Sequence, residues 1–201
     1  MGMMMMINRR RVCGGKKLPY DAEIEYLEST GNGNQFIDTG VGIGYSTNVL
    51  DIQAVFQHLS TSGMYKWVII SMLSQNTVIG VQRNGVNCYI DGIINKQFDL
   101  VTDTWREYHF NGNNNYEGVD NYQFIPNNGS LTTNILLFAL DNSGTNAEKC
   151  RIKYIKISYN NIIVRDLIPV RVGQTGYMYD KISGELIGNA GTSNFILGPD
   201  V

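Results

Sequence analysis

The sequence is poor in the residues that most enzymes and membrane proteins rely on. Its 201 residues include two histidines, three cysteines, four prolines and two tryptophans, and charged side chains make up 17%. No apolar run approaches the roughly 18–20 residues that span a bilayer, so membrane insertion is not expected. Cys13, Cys88 and Cys150 are odd in number and far apart, which fits neither a disulfide framework nor metal-ligand spacing. Reduced thiols and maturation in a cytoplasm are expected. A secretion signal is not expected either, because the short apolar stretch Met3–Ile7 precedes Arg9, Arg10 and Arg11 instead of following them.

Catalytic signatures are also missing. His58 and His109 fall in separate strand-like segments, and no G-x-S-x-G elbow accompanies them. "GVGIGYS" (Gly40, Gly42, Gly44) imitates a nucleotide loop, but a strand pattern follows it where a helix N-terminus is required. Glu23 and Glu25 are the one carboxyl pair at strand spacing that could flank a glycosidic bond. The next position in that series is Leu27, and Glu28 falls on the other face, so these acids read as a solvated strand edge. "DNSGTNAE" (Asp141–Glu148) lacks the spaced acids of an EF-hand; a polar turn is expected, with calcium near Asp141 the alternative. The reading is no enzyme and no cofactor.

What the chain does have is strand patterning. "TNVLDIQAVFQHL" puts Leu50, Ile52, Ala54 and Phe56 on one apolar face and Val49, Asp51, Gln53 and Val55 on the other. "EIEYLE" alternates in the same way, "NQFIDTG" reads as a strand closed by Gly40, and "KWVIISML" reads as covered on both faces. Asn84-Gly85 and Asn160-Asn161 mark hairpin tips. "GYMYDKISGELIGNAGTSNFILGP" holds three very short strands. No helical period persists, so about twelve short strands predict an all-β, two-sheet antiparallel jelly-roll sandwich.

The net charge of −2 conceals a segregation. Arg9, Arg10, Arg11, Lys16 and Lys17 all precede the first acid, Asp21, which leaves 11 basic residues against 18 acids in the remainder. Residues 1–19 show no strand or helical period and read as an extended basic arm; residues 20–201 read as the folded domain. Methionine adapts to irregular grooves. Met3, Met4, Met5, Met6 and Ile7 would therefore supply apolar contact, and the five basic residues charge, for docking on an acidic protein neighbour. The patch is small and lacks interleaved aromatics, so nucleic acid is not the expected partner. Tyr65 with Trp67, and Trp105 with Tyr108, are candidates for stacking on sugar rings, against the alternative of strand packing.

Two stretches carry a family resemblance. "YDAEIEYLESTGNGNQFIDTG" (Tyr20–Gly40) resembles the opening of concanavalin A-like (LamG-type) jelly-roll domains found in phages and mobile elements of gut bacteria, Bacteroides hosts especially, and in their surface proteins. "IIVRDLIPVRVGQTGYMYDKISGELIGNAGTSNFILGP" (Ile162–Pro199) resembles the same group's ending. It carries Arg165-Asp166 before Ile168-Pro169, then Met178-Tyr179-Asp180 before Ser183-Gly184, then Asn189 and Gly191 before Phe195. The match is loose between the two stretches. The resemblance implies a lectin-like sandwich without catalysis, whose calcium and sugar sites vary and map to no particular residue of this chain.

Three readings of function follow. The first is a virion structural protein of the head-fibre or capsid-decoration type, held by its arm on other virion proteins. In that reading it is oligomeric, displayed at the virion surface after assembly in the host bacterial cytoplasm, and in contact with host or mucosal glycans. The second is a carbohydrate-binding module of a phage tail or bacterial surface protein. The third is a glycosidase.

Overall fold

The computed structural model describes residues 12–13, 16–32, 34–42, 50–59, 67–74, 77–84, 87–91, 96–99, 103–111, 121–123, 134–139 and 149–201. These residues form strands and no helix. In chain order the strands begin with β1 (Val12–Cys13), β2 (Lys16–Lys17), β3 (Ala22–Glu23), β4 (Leu27–Glu28), β5 (Ile37–Gly42) and β6 (Leu50–His58). Next come β7 (Trp67–Ser74), β8 (Thr77–Asn84), β9 (Asn87–Asp91), β10 (Lys96–Asp99), β11 (Trp105–Asn111) and β12 (Asn121–Gln123). The last six are β13 (Asn134–Leu137), β14 (Cys150–Tyr159), β15 (Ile162–Val172), β16 (Thr175–Asp180), β17 (Leu186–Ile187) and β18 (Ile196–Leu197).

Two large sheets result. A six-stranded sheet runs β10-β9-β8-β7-β13-β5, and a ten-stranded sheet runs β12-β11-β6-β14-β15-β16-β17 with β3, β4 and β18 attached. Neighbouring strands are antiparallel except for β11 with β12, which run parallel. The fold is therefore all-β and dominated by antiparallel pairing. β14 and β15 separate along part of their length, and the segment from Ala22 to Glu28 enters the gap. There β4 pairs with β14, β3 pairs with β15, and β18 closes on β4.

One buried cluster draws side chains from both sheets. Ile52, Ala54 and Phe56 of β6 meet Ile152, Ile155 and Ile157 of β14, together with Ile37 and Val41 of β5 and Ile135 and Leu137 of β13. The apolar alternation of β6 therefore became its inner face, as its period of two requires. β14 departs from strict alternation at a bulge between Ile152 and Tyr154, so Lys153 and Tyr154 are both half-buried and Ile155 returns to the core. The β14–β15 turn has φ of 48° at Asn160 and 65° at Asn161, the left-handed pair that a two-residue hairpin with right-handed strand twist needs. β8 and β9 also form the hairpin expected near Asn84, with Asn84 opposite Asn87.

Four expectations are corrected. The arm carries a two-stranded ladder, Val12 opposite Lys17 and Cys13 opposite Lys16, where no strand was anticipated. Gly40 lies inside β5, at φ 67°, and does not end the strand. "EIEYLE" is not one strand but β3, a bridge at Ile24 and β4. Leu27 and Glu28 are consecutive yet both buried, and the Glu28 carboxylate, expected in solvent, lies beneath Arg151.

The two stretches that carry the family resemblance knit together. Gln35 accepts hydrogen bonds from the Thr30 amide (2.7 Å) and hydroxyl (2.8 Å) and donates to the Asn194 carbonyl. Asn189 accepts from the Phe36 amide at 2.8 Å and donates to the Asn34 carbonyl at 3.1 Å. Gly191 has no room for a side chain: an added Cβ would lie 2.3 Å from the Asn34 carbonyl oxygen. Asp180, fully buried, accepts from the amides of Asp166 and Ile182, both at 3.1 Å, and Ser183 at 3.3 Å, with Arg165 3.5 Å away. Burial pushes the Asp180 pKa up, but these amides outweigh it and hold the carboxyl below its ordinary value. The quoted signature residues thus close turns and join the two stretches.

Candidate functional site

The outward face of the ten-stranded sheet gathers aromatic and charged side chains from several strands. Register alone assembles it. Trp105 on β11 stands opposite Gln57 on β6, Gln57 opposite Arg151 on β14, and Arg151 opposite Glu28 on β4. A second row, His109–Gln53–Lys156–Asp166, crosses β11, β6 and β14 further along and ends on β15.

In the first row the arginine is held on several sides. Its Nε donates to Glu28 at 2.7 Å, its Nη1 donates to Gln57 at 3.1 Å, and its guanidinium carbon lies 4.3 Å from the Tyr26 ring centre. Glu28 and Gln57 are buried, 6% and 7% exposed, so both anchors are rigid and weakly solvated. Burial lowers the Arg151 pKa, but Glu28 more than reverses this, and the group stays charged. Beside it Tyr26 and Trp105 lie with ring centres 6.0 Å apart, tilted by 45°. The Lys153 ammonium sits 4.7 Å from the Trp105 ring centre and 2.9 Å from Glu25. Lys153 alternates outward after Ile152, and the β14 bulge sets Tyr154 beside it before Ile155 returns to the core.

In the second row the His109 ring nitrogen Nε2 lies 2.8 Å from Asp51 and 3.5 Å from Gln53. Lys156 is held in its charged form by Tyr154 foremost, despite partial burial, with Asp166 and Asp51 adding attraction. This row is a polar network across four strands, in which His109 and Asp51 make the close contact.

The predicted site residues are scattered. Met3, Met4, Met5, Met6, Ile7, Arg9, Arg10, Arg11, Tyr65 and the Asp141 turn lie outside the described residues. Lys16 and Lys17 form β2, with Lys17 exposed. Trp67 lies on β7 of the six-stranded sheet, its side chain outside the described set, whereas Trp105 lies on β11 of the other sheet. Among the described residues the ring that meets Trp105 is Tyr26, and the side chain of Tyr108, nominated with it, lies outside the described set. Glu23 accepts from the Tyr20 hydroxyl at 3.0 Å, while Glu25 pairs with Lys153, so the two nominated carboxylates serve different partners. Tyr26, Gln57, Arg151 and Lys153 were not singled out from the sequence, and no periodic signal there marks them. Among the described residues no group of three or more His, Cys, Asp or Glu is placed to hold a metal ion, and no helix is long and apolar enough to cross a membrane.

Compared with models of known families, with curated proteins and with solved structures, the chain finds no match.

Proposed function

We propose that this chain is a structural protein of a bacteriophage virion, of the head-fibre or capsid-decoration kind. Residues 1–19 anchor it on neighbouring virion proteins, and residues 20–201 project as a concanavalin A-like jelly roll that touches host or mucosal glycans. The observation that carries the reading is the charge segregation, five basic residues before the first acid against a remainder of 11 basic and 18 acidic residues. Segregation of this kind is typical of an interacting tail. In support, β1 and β2 pair with each other and with neither large sheet. So short a hairpin is marginal alone in water, and a partner surface would stabilise it. The buried cluster shared by the two sheets is what a jelly-roll sandwich requires. The protein acts in several copies at the virion surface, so weak individual contacts add through multivalency.

The second reading, a carbohydrate-binding module of a phage tail or bacterial surface protein, is favoured by the Tyr26–Trp105 ring pair. A glycosidase ranks third, because Glu23 and Glu25 are engaged by Tyr20 and Lys153. The test is deletion of residues 1–17 in the producing phage, followed by quantification of the protein on purified particles. The expected result is loss of the protein from particles while the truncated chain remains folded and soluble. Undiminished occupancy overturns the anchor.

A further inference from the structure

We infer that the Tyr26–Trp105–Arg151–Lys153 cluster is a binding platform for a neutral pyranose ring. The platform specifies the glycan contact of the proposed display protein and rests on that reading. The half-buried Tyr26 and Trp105 rings, inclined at 45° and each with a cation over one face, leave polarizable aromatic surface for the C–H face of a sugar. Around them lie two cationic donors, Arg151 and Lys153, and two carboxylate acceptors, Glu25 and Glu28. Lys153 and Glu25 keep 41% and 34% of their side chains in solvent, so both can exchange part of their pairing for vicinal hydroxyls. Arg151 keeps 30% exposure and is pre-set by Glu28, Gln57 and the Tyr26 ring, which limits the ordering cost on binding.

The charges select the class of ligand. Arg151 and Lys153 are matched by Glu28 and Glu25, and Asp103 adds a further negative charge toward Arg151, so an acidic sugar or a phosphate gains no net attraction. A purely apolar ligand would strip water from two ion pairs without replacing it. A neutral ring with adjacent hydroxyls satisfies donors and acceptors together. Tyr26, Trp105, Lys153 and Glu25 contact the sugar; Glu28 and Gln57 position Arg151.

The experiment uses the full chain, multivalently coupled, on an array of neutral and acidic oligosaccharides, followed by titration of the strongest neutral hit in solution. Neutral oligosaccharides are expected to be retained over acidic ones. Trp105→Ala should weaken the solution affinity tenfold or more, and Lys153→Met severalfold. Arg151→Lys should weaken it too, because the fork held by Glu28 and Gln57 is lost although the charge remains. Should Trp105→Ala unfold, Lys153→Met and Trp105→Phe carry the test. Three results overturn the inference: absence of any neutral hit, preference for acidic sugars, or affinity unchanged in both Lys153→Met and the Trp105 variants. Deletion of residues 1–17 should leave the solution affinity intact, so failure of the anchor and failure of the platform are read separately.

Discussion

The two faces of the ten-stranded sheet use the same strands under different constraints. Inward, β6 and β14 present Ile52, Ala54, Phe56, Ile152, Ile155 and Ile157, each at or below 1% exposure, to one apolar cluster. Outward, the same strands present Gln57, Arg151 and Lys153 beside Tyr26 and Trp105, tied by hydrogen bonds and ring contacts. The inner face is non-directional and close-packed; what matters there is volume. The outer face is directional and partly wet; what matters there is geometry. The difference predicts that substitutions on one face act on stability and on the other on recognition.

The largest effect should follow Phe56→Ala. The ring is fully buried, and its removal should cost about 3–5 kcal/mol in urea unfolding; a cost under about 1 kcal/mol would mean that the core is not shared between the sheets as described.

Asp180→Asn should come next, at about 1–3 kcal/mol near neutral pH, because the carboxylate collects three amides and faces Arg165. The folded-state pKa lies below the ordinary 3.8, so its stabilisation is complete above the unfolded value and is lost as pH falls through the folded one. Wild-type stability should therefore decline below about pH 4, and the asparagine variant should show a flatter acid limb. Equal acid limbs would assign the decline to other carboxylates.

Gly191→Ala should cost about 1–3 kcal/mol, since the added methyl meets the Asn34 carbonyl oxygen and the Asn189 turn must shift. Chemical unfolding with an unchanged midpoint would show that the seam between the two terminal stretches yields without penalty.

The smallest effect belongs to the outward face. Lys153→Ala removes an ion pair between groups about a third exposed and should change stability by only about 0–1 kcal/mol.

The inward face was legible because its signal is local. Apolar alternation from Leu50 to Phe56 marks β6, and paired asparagines mark the β14–β15 turn whose positive φ values they tolerate. The signature of the terminal stretches was visible as letters, but its full meaning was not: beside their local turn contacts, Asn189 takes the Phe36 amide and Asp180 the Asp166 amide, which the fold brings near. The outward face was illegible for a related reason. Arg151 meets Glu28 across 123 residues and Gln57 across 94, and Lys153 meets Glu25 across 128. These meetings depend on strand order and on a bulge that shifts register by one residue, neither of which a periodic pattern encodes. Glu28 was misplaced because β4 is two residues long, too short for alternation to apply.

Trp105→Ala tests the division between the faces most directly, with thermal unfolding and neutral-oligosaccharide titration measured on the same preparation. The account predicts an affinity loss of tenfold or more with a melting temperature within about 3 °C of wild type, a shift worth about 1 kcal/mol for a chain of this size. A melting temperature that falls as far as that of Phe56→Ala, with oligosaccharide affinity unchanged, would contradict it.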